Sequence, residues 1–240
     1  MHKKNILDMA ISTDRKFIYT CCASQIIQSR LDLLPKGSQQ FWKTEPKVEG
    51  NVFGWECKSL VLSHNGNWLY MMTKGGVIRK FITDQKVTTV KQRLVEIFDM
   101  GKTKYPTKFG KLEDKELADL TSELVISCDD ETLFASIFGF VLQFDTSGQG
   151  LKLTHRYPGT ENNLQDWLRW RSIVLHKNQT HLFIGGGDLI QKIDTLKKIV
   201  VNEICPVEGH NQGVRKLVIS ECGEFLFIGY FGGRFMQYSC

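Results

Sequence analysis

The residues best suited to recognising a partner lie in a short aromatic and charged stretch at 166–171, with the sequence Asp-Trp-Leu-Arg-Trp-Arg. Tryptophan and arginine are enriched among the residues that dominate protein interfaces, and a guanidinium can stack on an indole ring. We therefore predict that Trp167, Arg169, Trp170 and Arg171 bind a partner. The alternative is that the two tryptophans fill space inside the fold.

The sequence contains no clear motif for a catalytic site, a metal site or a nucleotide-binding site. His176 and His181 lie five residues apart across a predicted hairpin turn, but a metal needs a third or fourth ligand and none is evident. The glycine-rich run at 185–188 lacks the lysine and helix of a phosphate-binding loop, and it predicts a tight turn between strands. No G-x-S-x-G nucleophile motif occurs. The sequence thus predicts no catalytic residue, no metal site and no cofactor.

The seven cysteines favour a reducing compartment. Their number is odd and no C-x-x-C pair occurs, so the sequence indicates neither a disulfide framework nor a zinc site. We expect reduced thiols that behave as small apolar residues. Cys21 and Cys22 are neighbours on a predicted strand, so their side chains should point to opposite faces of its sheet.

Composition and targeting signals narrow the class of protein. The 240 residues are enough for one large β domain or two small ones, and contents of 42% hydrophobic and 11% aromatic residues suit a strand-rich protein. The net charge of +5 is spread along the chain, whereas a dedicated nucleic-acid or membrane binder would cluster its basic residues. The N-terminus has no apolar signal segment, and no run reaches the ~18 apolar residues of a membrane span. We expect an intracellular protein, cytoplasmic or nuclear, without a membrane partner.

An internal repeat organises the chain. Five segments share one shape, at residues 6–12, 57–63, 121–127, 170–176 and 214–220. We number the last residue of each segment as position 0. Positions −3, −2, −1, +6 and +7 are then apolar in all five copies, and position +7 is always aromatic. A short polar turn separates the two apolar runs, as in a hairpin.

The strand pattern predicts small sheets stacked around an axis. The first run of each copy is apolar at consecutive positions, which is typical of a strand covered on both faces. Glycine-containing turns at 74–76 and 231–233 lead to third runs, and 86–90 and 151–155 are more polar fourth runs. The shortest spacing between copies is 44 residues, close to the ~40–45 residue period of a four-stranded propeller blade. The pattern favours a propeller over a sandwich.

The last copy resembles the WD-repeat (G-protein-beta-like) family. Gly209 and His210 precede its first strand, and Ser220, Gly223 and an apolar second strand follow in the family's order. No copy carries the tryptophan of the family's Trp-Asp signature, and only Asp145 and Asp194 match its aspartate. The resemblance covers about 1–93 and 121–240.

The resemblance implies an all-β fold, a β-propeller of about five four-stranded blades. The predicted blades span 1–56, 57–93, 121–160, 161–207 and 208–240, within a single domain over 1–240. An irregular stretch is expected at 33–54. An insertion at 94–120, with a short helix at 111–120, is either a solvated loop or a partner-docking element. The chain is either an open or unusually closed five-blade array or an incomplete part of a seven-bladed propeller.

The resemblance also implies a non-catalytic scaffold that binds proteins or peptides through loops of one propeller face, as a subunit of a larger assembly. By position on that face it adds Lys74, Phe138 and Phe231 to the candidate binding residues. One alternative is a subunit of a nucleic-acid-associated complex that processes or modifies RNA. A second is a propeller enzyme with a site in the central channel, which would need acids and histidines clustered at strand starts.

Overall fold

The structure is a computed structural model, and it describes eleven stretches of the chain. These are residues 5–22, 25–33, 38–43, 57–73, 76–84, 94–99, 123–137, 140–157, 170–187, 189–204 and 213–240. For the strand Ser38–Lys43 and for Leu33, Ile97, Asp99, Trp170 and Arg171, only the backbone is described.

The described residues form five antiparallel sheets, and within each sheet the strands lie side by side in chain order. Blade one contains β1 (Asp8–Ile11), β2 (Phe17–Cys22), β3 (Gln25–Arg30) and β4 (Ser38–Lys43), with a 3-10 turn at Leu31–Leu33. Blade two contains β5 (Cys57–Leu62), β6 (Trp68–Thr73), β7 (Val77–Ile82) and β8 (Leu94–Asp99). Blade three contains β9 (Glu123–Ile126), β10 (Thr132–Ile137), β11 (Phe140–Asp145) and β12 (Lys152–Tyr157). Blade four contains β13 (Trp170–Leu175), β14 (His181–Gly186), β15 (Leu189–Asp194) and β16 (Ile199–Ile204), and blade five contains β17 (Val214–Ile219), β18 (Phe225–Tyr230) and β19 (Phe235–Ser239).

The all-β class and the five predicted sheets are confirmed, but two outer strands lie where the sequence predicted irregular chain. β8 occupies 94–99, the start of the predicted insertion, and β4 occupies 38–43 inside the predicted irregular stretch. Outer strands are covered on fewer sides and pair through bulges, so they lack the continuous apolar run that identifies an inner strand. Residues 86–90 and 100–120, including the predicted helix, lie outside the described residues.

The residue at position 0 closes the first hairpin of each blade. In four copies it is a serine whose hydroxyl accepts a hydrogen bond from the backbone N–H five residues later, at 2.9–3.0 Å. In blade four His176 replaces the serine, and its Nδ1 accepts from the N–H of Asn178 at 3.1 Å. Position +3 has a positive φ in every copy, at Arg15, Gly66, Asp130, Gln179 and Gly223. The five copies of the repeat therefore form the same type of turn.

Consecutive blades pack face to face through the apolar repeat positions. The aromatic residue at +7 points toward the following blade, and the aliphatic residues at −3, −1 and +6 point toward the preceding one. Tyr70 of blade two packs with Leu124 and Leu133 of blade three in this way. Phe183 of blade four packs with Leu217 and Leu226 of blade five. Burial of these aromatic rings provides much of the cohesion between blades.

One hydrogen bond recurs between the inner strands of consecutive blades. The side chain at position −4 of one blade accepts a hydrogen bond from the backbone N–H at position −3 of the next. The four bonds join Asp8 to Leu60 (2.7 Å), Ser59 to Leu124 (3.1 Å), Glu123 to Ile173 (2.9 Å) and Ser172 to Leu217 (2.9 Å). Leaving a buried N–H unpaired costs about 1–3 kcal/mol, so these acceptors fix how the inner strands stack. Blade five has Lys216 at this position, which can only donate.

One lysine is buried between blades two and three. The Lys80 Nζ donates to the carbonyl oxygens of Gly148 (3.1 Å) and Gln149 (3.4 Å), and it lies 4.4 Å from the ring centroid of Trp68. Burial lowers the pKa of Lys80 below its usual value. The two carbonyls and the aromatic ring compensate part of the cost of burying the ammonium, and they tie the turn after β11 to blade two.

Cys21 and Cys57 form a disulfide between blades one and two. Cys21 lies on β2 and Cys57 begins β5, both are buried, and their Cα atoms are 6.2 Å apart. The prediction that the cysteines are reduced was therefore wrong for this pair. The two residues are 36 positions apart and meet only because the blades stack, so spacing along the chain carried no signal. The remaining cysteines among the described residues form no disulfide: Cys22, Cys128, Cys222 and Cys240.

Candidate protein-binding face

The inner strands and two turns define one face of the blade array. β1 packs on β5, β5 on β9, β9 on β13 and β13 on β17. Antiparallel pairing places the start of each inner strand beside the end of the second strand, as for Trp170 opposite Gly186 and Val214 opposite Tyr230. We call the face formed by the starts of β5, β13 and β17, Gly187 and the turn at 231–234 the entry face.

The sequence-predicted binding residues fall on this face to the extent that they are described. Trp170 and Arg171 begin β13, and Phe231 follows β18. Trp167, Arg169, Lys74 and Phe138 lie outside the described residues, as do the side chains of Trp170 and Arg171. The structure thus brings the backbone of Trp170 and Arg171 to the same face as Phe231.

Phe231 is held by both backbone and side-chain contacts. Its N–H donates to the carbonyl of Gly213 at 3.1 Å, and the Val214 N–H donates to the carbonyl of Gly187 at 2.7 Å. The first bond lies within blade five, and the second joins the start of blade five to the turn of blade four. The exposed Arg215 guanidinium lies 5.3 Å from the Phe231 ring centroid, within cation–π range. Phe231 and Arg215 therefore present an apolar ring and a charge side by side.

Arg215 was missed in the sequence although the repeat carried a signal for it. Three inner strands contain a β-bulge at position −5, and the extra residue is basic in each: Lys58, Arg171 and Arg215. A bulge interrupts the alternation of a strand and redirects a side chain. The three bulges recur at the start of the inner strands of blades two, four and five. Sequence and backbone thus place a cation at one repeated position of the entry face.

Glu123, the acid at the start of β9, is bound by donors through both of its carboxylate oxygens. Glu123 Oε2 accepts from the Ser172 hydroxyl at 2.8 Å and from the Ile173 N–H at 2.9 Å, and Oε1 accepts from Lys216 Nζ at 2.5 Å. With both oxygens bound to donors of blades four and five, Glu123 acts as a structural tie. In the part of the chain that the structure describes, no group of three His, Cys, Asp or Glu residues could hold a metal ion.

The two histidines considered for chemistry are used in the fold. The His176 Nε2 lies 2.8 Å from the Gly223 carbonyl oxygen and donates to it, because Nδ1 already accepts from Asn178. His181 Nδ1 contacts Asn178 (3.2 Å) and Thr180 (3.0 Å), and burial lowers the pKa of His181. The bond between His176 and Gly223 connects the hairpins of blades four and five, whereas the contacts of His181 lie within the hairpin of blade four.

The glycine-rich run at 185–188 forms the predicted tight turn as far as it is described. Gly185 and Gly186 end β14 and Gly187 follows with a φ of +53°. A Cβ on Gly185 would lie 2.6 Å from Val214 Cγ1 of blade five, so this glycine allows the close approach of blades four and five. Asp188 lies outside the described residues.

Comparison with known proteins shows the fold. No family model matches the sequence, and no curated protein matches it. Among solved structures 1482 chains match, one of which is the β-propeller domain of Cps50 (Swd1) from Myceliophteria thermophila. The likeness has a TM-score of 0.69 at 11% identity and covers 100% of this chain and 67% of that chain. The chain folds as a β-propeller.

The propeller likeness leaves function open. At 11% identity it concerns the fold alone, and one fold carries many functions. The propeller part of the predicted resemblance is confirmed, whereas membership of the WD-repeat family stays a prediction. No described helix is long and apolar enough to span a membrane.

Proposed function

We propose that this propeller is a non-catalytic, WD-repeat-like scaffold inside the cell. It binds other proteins or peptides through its entry face, as a subunit of a larger assembly. The observation that carries the proposal is the basic residue at the bulge of three inner strands, together with the Arg215–Phe231 stack. Both lie on the face where the sequence places the tryptophan- and arginine-rich stretch at 166–171.

The chemistry of this face fits a partner segment that is both acidic and apolar. A guanidinium can bind a carboxylate with two parallel hydrogen bonds, and such charge-assisted bonds are stronger than neutral ones. The Phe231 ring offers apolar area beside the Arg215 charge. Arginine and large aromatic residues are the types that dominate interface energies. The partner would therefore place an acidic side chain next to an aliphatic or aromatic one.

Affinity capture with the tagged protein tests this proposal. We expect a defined protein partner, and Arg215→Glu, Phe231→Ala and Trp167→Ala should each lower its recovery by about tenfold or more, as loss of an interface hot spot does. Lys197→Glu is the control: Lys197 is exposed in the turn between β15 and β16, at the opposite end of the strands from the entry face. Full recovery with all three variants would refute the entry face as the binding surface.

The same cations could meet phosphates, so nucleic acid is the competing partner. Titration with single-stranded RNA and duplex DNA at low and high salt separates the two, because phosphate binding falls steeply with ionic strength. The proposal predicts no binding to either nucleic acid that depends on Arg215. Tight binding at low salt that Arg215→Glu abolishes would replace the protein-scaffold function with the nucleic-acid one.

A further inference from the structure

One contact between consecutive blades recurs beside the entry face. It joins position +9, near the end of a blade's second strand, to position −6, at the start of the next blade's inner strand. Between blades four and five these residues are Gly185 and Val214, and a Cβ on Gly185 would lie 2.6 Å from Val214 Cγ1. Between blades one and two they are Cys21 and Cys57, which form the disulfide. A covalent bond thus replaces a packing contact at one of these two places.

The disulfide lies next to the repeated cation of blade two. Cys57 is the first residue of β5 and pairs with Thr73 of β6. The register then shifts before Ser59, and the extra residue of this bulge is Lys58. Among the described residues, the pair of Cys57 and Thr73 is the part of the β5–β6 ladder that lies beyond the bulge. In this part of the chain, that one strand pair and the disulfide hold the segment that carries Lys58.

Blade five shows the same arrangement with a non-covalent attachment. The Val214 N–H donates to the Gly187 carbonyl of blade four at 2.7 Å, and Arg215 follows as the cation of the bulge. In both blades the residue before the cation is therefore attached to the preceding blade. The attachment at Val214 does not respond to thiol reductants, whereas the bond at Cys57 can be cut by them.

Reduction of the bond separates the start of β5 from blade one. Two thiols of a reductant such as glutathione supply two electrons and two protons: the S–S bond breaks, Cys21 and Cys57 become thiols, and the two reductant sulfurs join in a disulfide. The cysteines are 0% and 1% exposed within the cluster between blades one and two. Because two unbonded sulfurs need more space than a bonded pair, their close-packed neighbours must move. The start of β5 moves first, since β2 is paired on both sides, with β1 and β3.

We propose that the Cys21–Cys57 disulfide is a redox switch of the entry face. The oxidised chain holds the bulge that carries Lys58 in one position, and the reduced chain releases it and binds an acidic partner segment more weakly. The inference rests on the proposed function, because it concerns the regulation of the same face. It agrees with the proposed location inside the cell, where disulfides are usually transient and redox-sensing. The Arg215–Phe231 stack lies beside a contact of glycine and valine, so reduction weakens binding without abolishing it.

Hydrogen exchange at the Leu60 amide tests the switch without a partner. The Leu60 N–H donates to the Asp8 carboxylate of blade one at 2.7 Å, so its exchange rate reports on the contact between blades one and two. Dithiothreitol should raise this rate about tenfold or more, as loss of a buried hydrogen bond implies. Leu217 is the matched control: its N–H has the same position −3 and donates to Ser172 of blade four at 2.9 Å. The rate at Leu217 should not change.

Cysteine variants separate the effect of the bond from other effects of the reductant. In Cys21→Ala with Cys57→Ala, the Leu60 amide should exchange fast with and without dithiothreitol. Cys22→Ala should keep the wild-type response, because Cys22 forms no disulfide. A wild-type Leu60 rate that is the same in both redox states would overturn the switch. Equal acceleration at Leu60 and Leu217 would overturn it too, because the reductant would then lower overall stability instead of releasing one segment.

Affinity capture in the two redox states tests the effect on binding. Recovery of the partner by the wild type should fall roughly threefold to fivefold after reduction with dithiothreitol, the scale of one exposed ion pair. Lys58→Ala should lower recovery by a similar factor and should remove the redox response, because the switch acts through Lys58. Lys197→Ala is the control at an exposed lysine away from the entry face, and it should keep both the recovery and the response.

The results of the capture experiment distinguish the switch from the binding function. Equal recovery by the oxidised and the reduced wild type, together with a loss of recovery in Arg215→Glu, would overturn the switch and leave the binding function standing. A redox response that persists in Lys58→Ala would also overturn the switch. If neither Arg215→Glu nor Phe231→Ala lowers recovery, the entry face is not the binding surface, and both the binding function and its regulation are refuted.

Discussion

Replacing Phe183 by alanine is expected to lower the free energy of unfolding by about 3–5 kcal/mol, the usual effect of truncating a buried aromatic residue. Phe183 occupies position +7 of blade four, is fully buried, and packs against Leu217 and Leu226 of blade five. The truncation would leave a cavity between two blades that cannot close without moving one of them. Urea unfolding followed by fluorescence measures the change.

The repeat supplies a matched control for this substitution. Phe227 is the same residue type at the same position +7 of blade five, but it is only partly buried and stacks on the exposed Phe235. Phe227→Ala should therefore cost much less than Phe183→Ala. If both variants lowered the free energy of unfolding equally, the result would contradict the packing of blades four and five. The aromatic ring at position +7 would then stabilise its own blade and not the contact with the next one.

Removing the disulfide between Cys21 and Cys57 is expected to lower stability by about 4 kcal/mol, from the chain-entropy estimate for a loop of this length. The bridge joins β2 of blade one to β5 of blade two across 36 residues. Both sulfurs lie in the buried cluster between these blades. Loss of the bridge should weaken the attachment of blade one, and the thermal unfolding midpoint of the oxidised protein should fall on addition of reductant.

A double variant isolates the effect of the bond from that of the reductant. Cys21→Ala with Cys57→Ala should unfold at the same temperature with and without reductant. Cys22→Ala should keep the wild-type sensitivity, because Cys22 neighbours Cys21 in the chain but forms no disulfide. If mass spectrometry finds both thiols free in the oxidised wild-type protein, or if reductant leaves its midpoint unchanged, the disulfide is wrong and the predicted reduced cysteines are restored.

The sequence was sufficient to predict the inner part of each blade. Inner strands are covered on both faces, so their apolar runs are continuous, and the turn after position 0 has one geometry in five copies. Because of these two constraints, the internal repeat can be recognised in this one sequence without comparison to a relative. The outer strands β4 and β8 could not be predicted in the same way, because exposure relaxes the choice of residues.

The contacts between blades were harder to predict than the strands. The acceptor at position −4 is Asp8, Ser59, Glu123 or Ser172, which share only the ability to accept a hydrogen bond. Such a position looks variable in a search for similar residue types. The disulfide could not be predicted from the sequence either, because its two cysteines are 36 residues apart and meet only when the blades stack.

At the candidate site, by contrast, the sequence contained a repeated feature from which a further binding residue could have been predicted. Lys58, Arg171 and Arg215 share position −5, and only the bulges in their strands reveal why that position matters. The aromatic candidate Phe231 came from the family resemblance, and the structure supplies Arg215 as its neighbour. The binding role of these residues, and of Trp167, Arg169, Trp170, Lys74 and Phe138, stays a prediction.

Hydrogen exchange at the Leu217 amide tests the stacking of blades most directly. This N–H points away from the ladder of its own sheet, and its acceptor is the Ser172 hydroxyl of the preceding blade, at 2.9 Å. We expect slow exchange in the wild type, and exchange faster by about tenfold or more in Ser172→Ala, as loss of a buried hydrogen bond implies. The Ser239→Ala control, at an exposed serine of β19, should leave the Leu217 rate unchanged. A wild-type Leu217 amide that exchanges as fast as an open-chain amide would contradict the face-to-face arrangement of blades four and five.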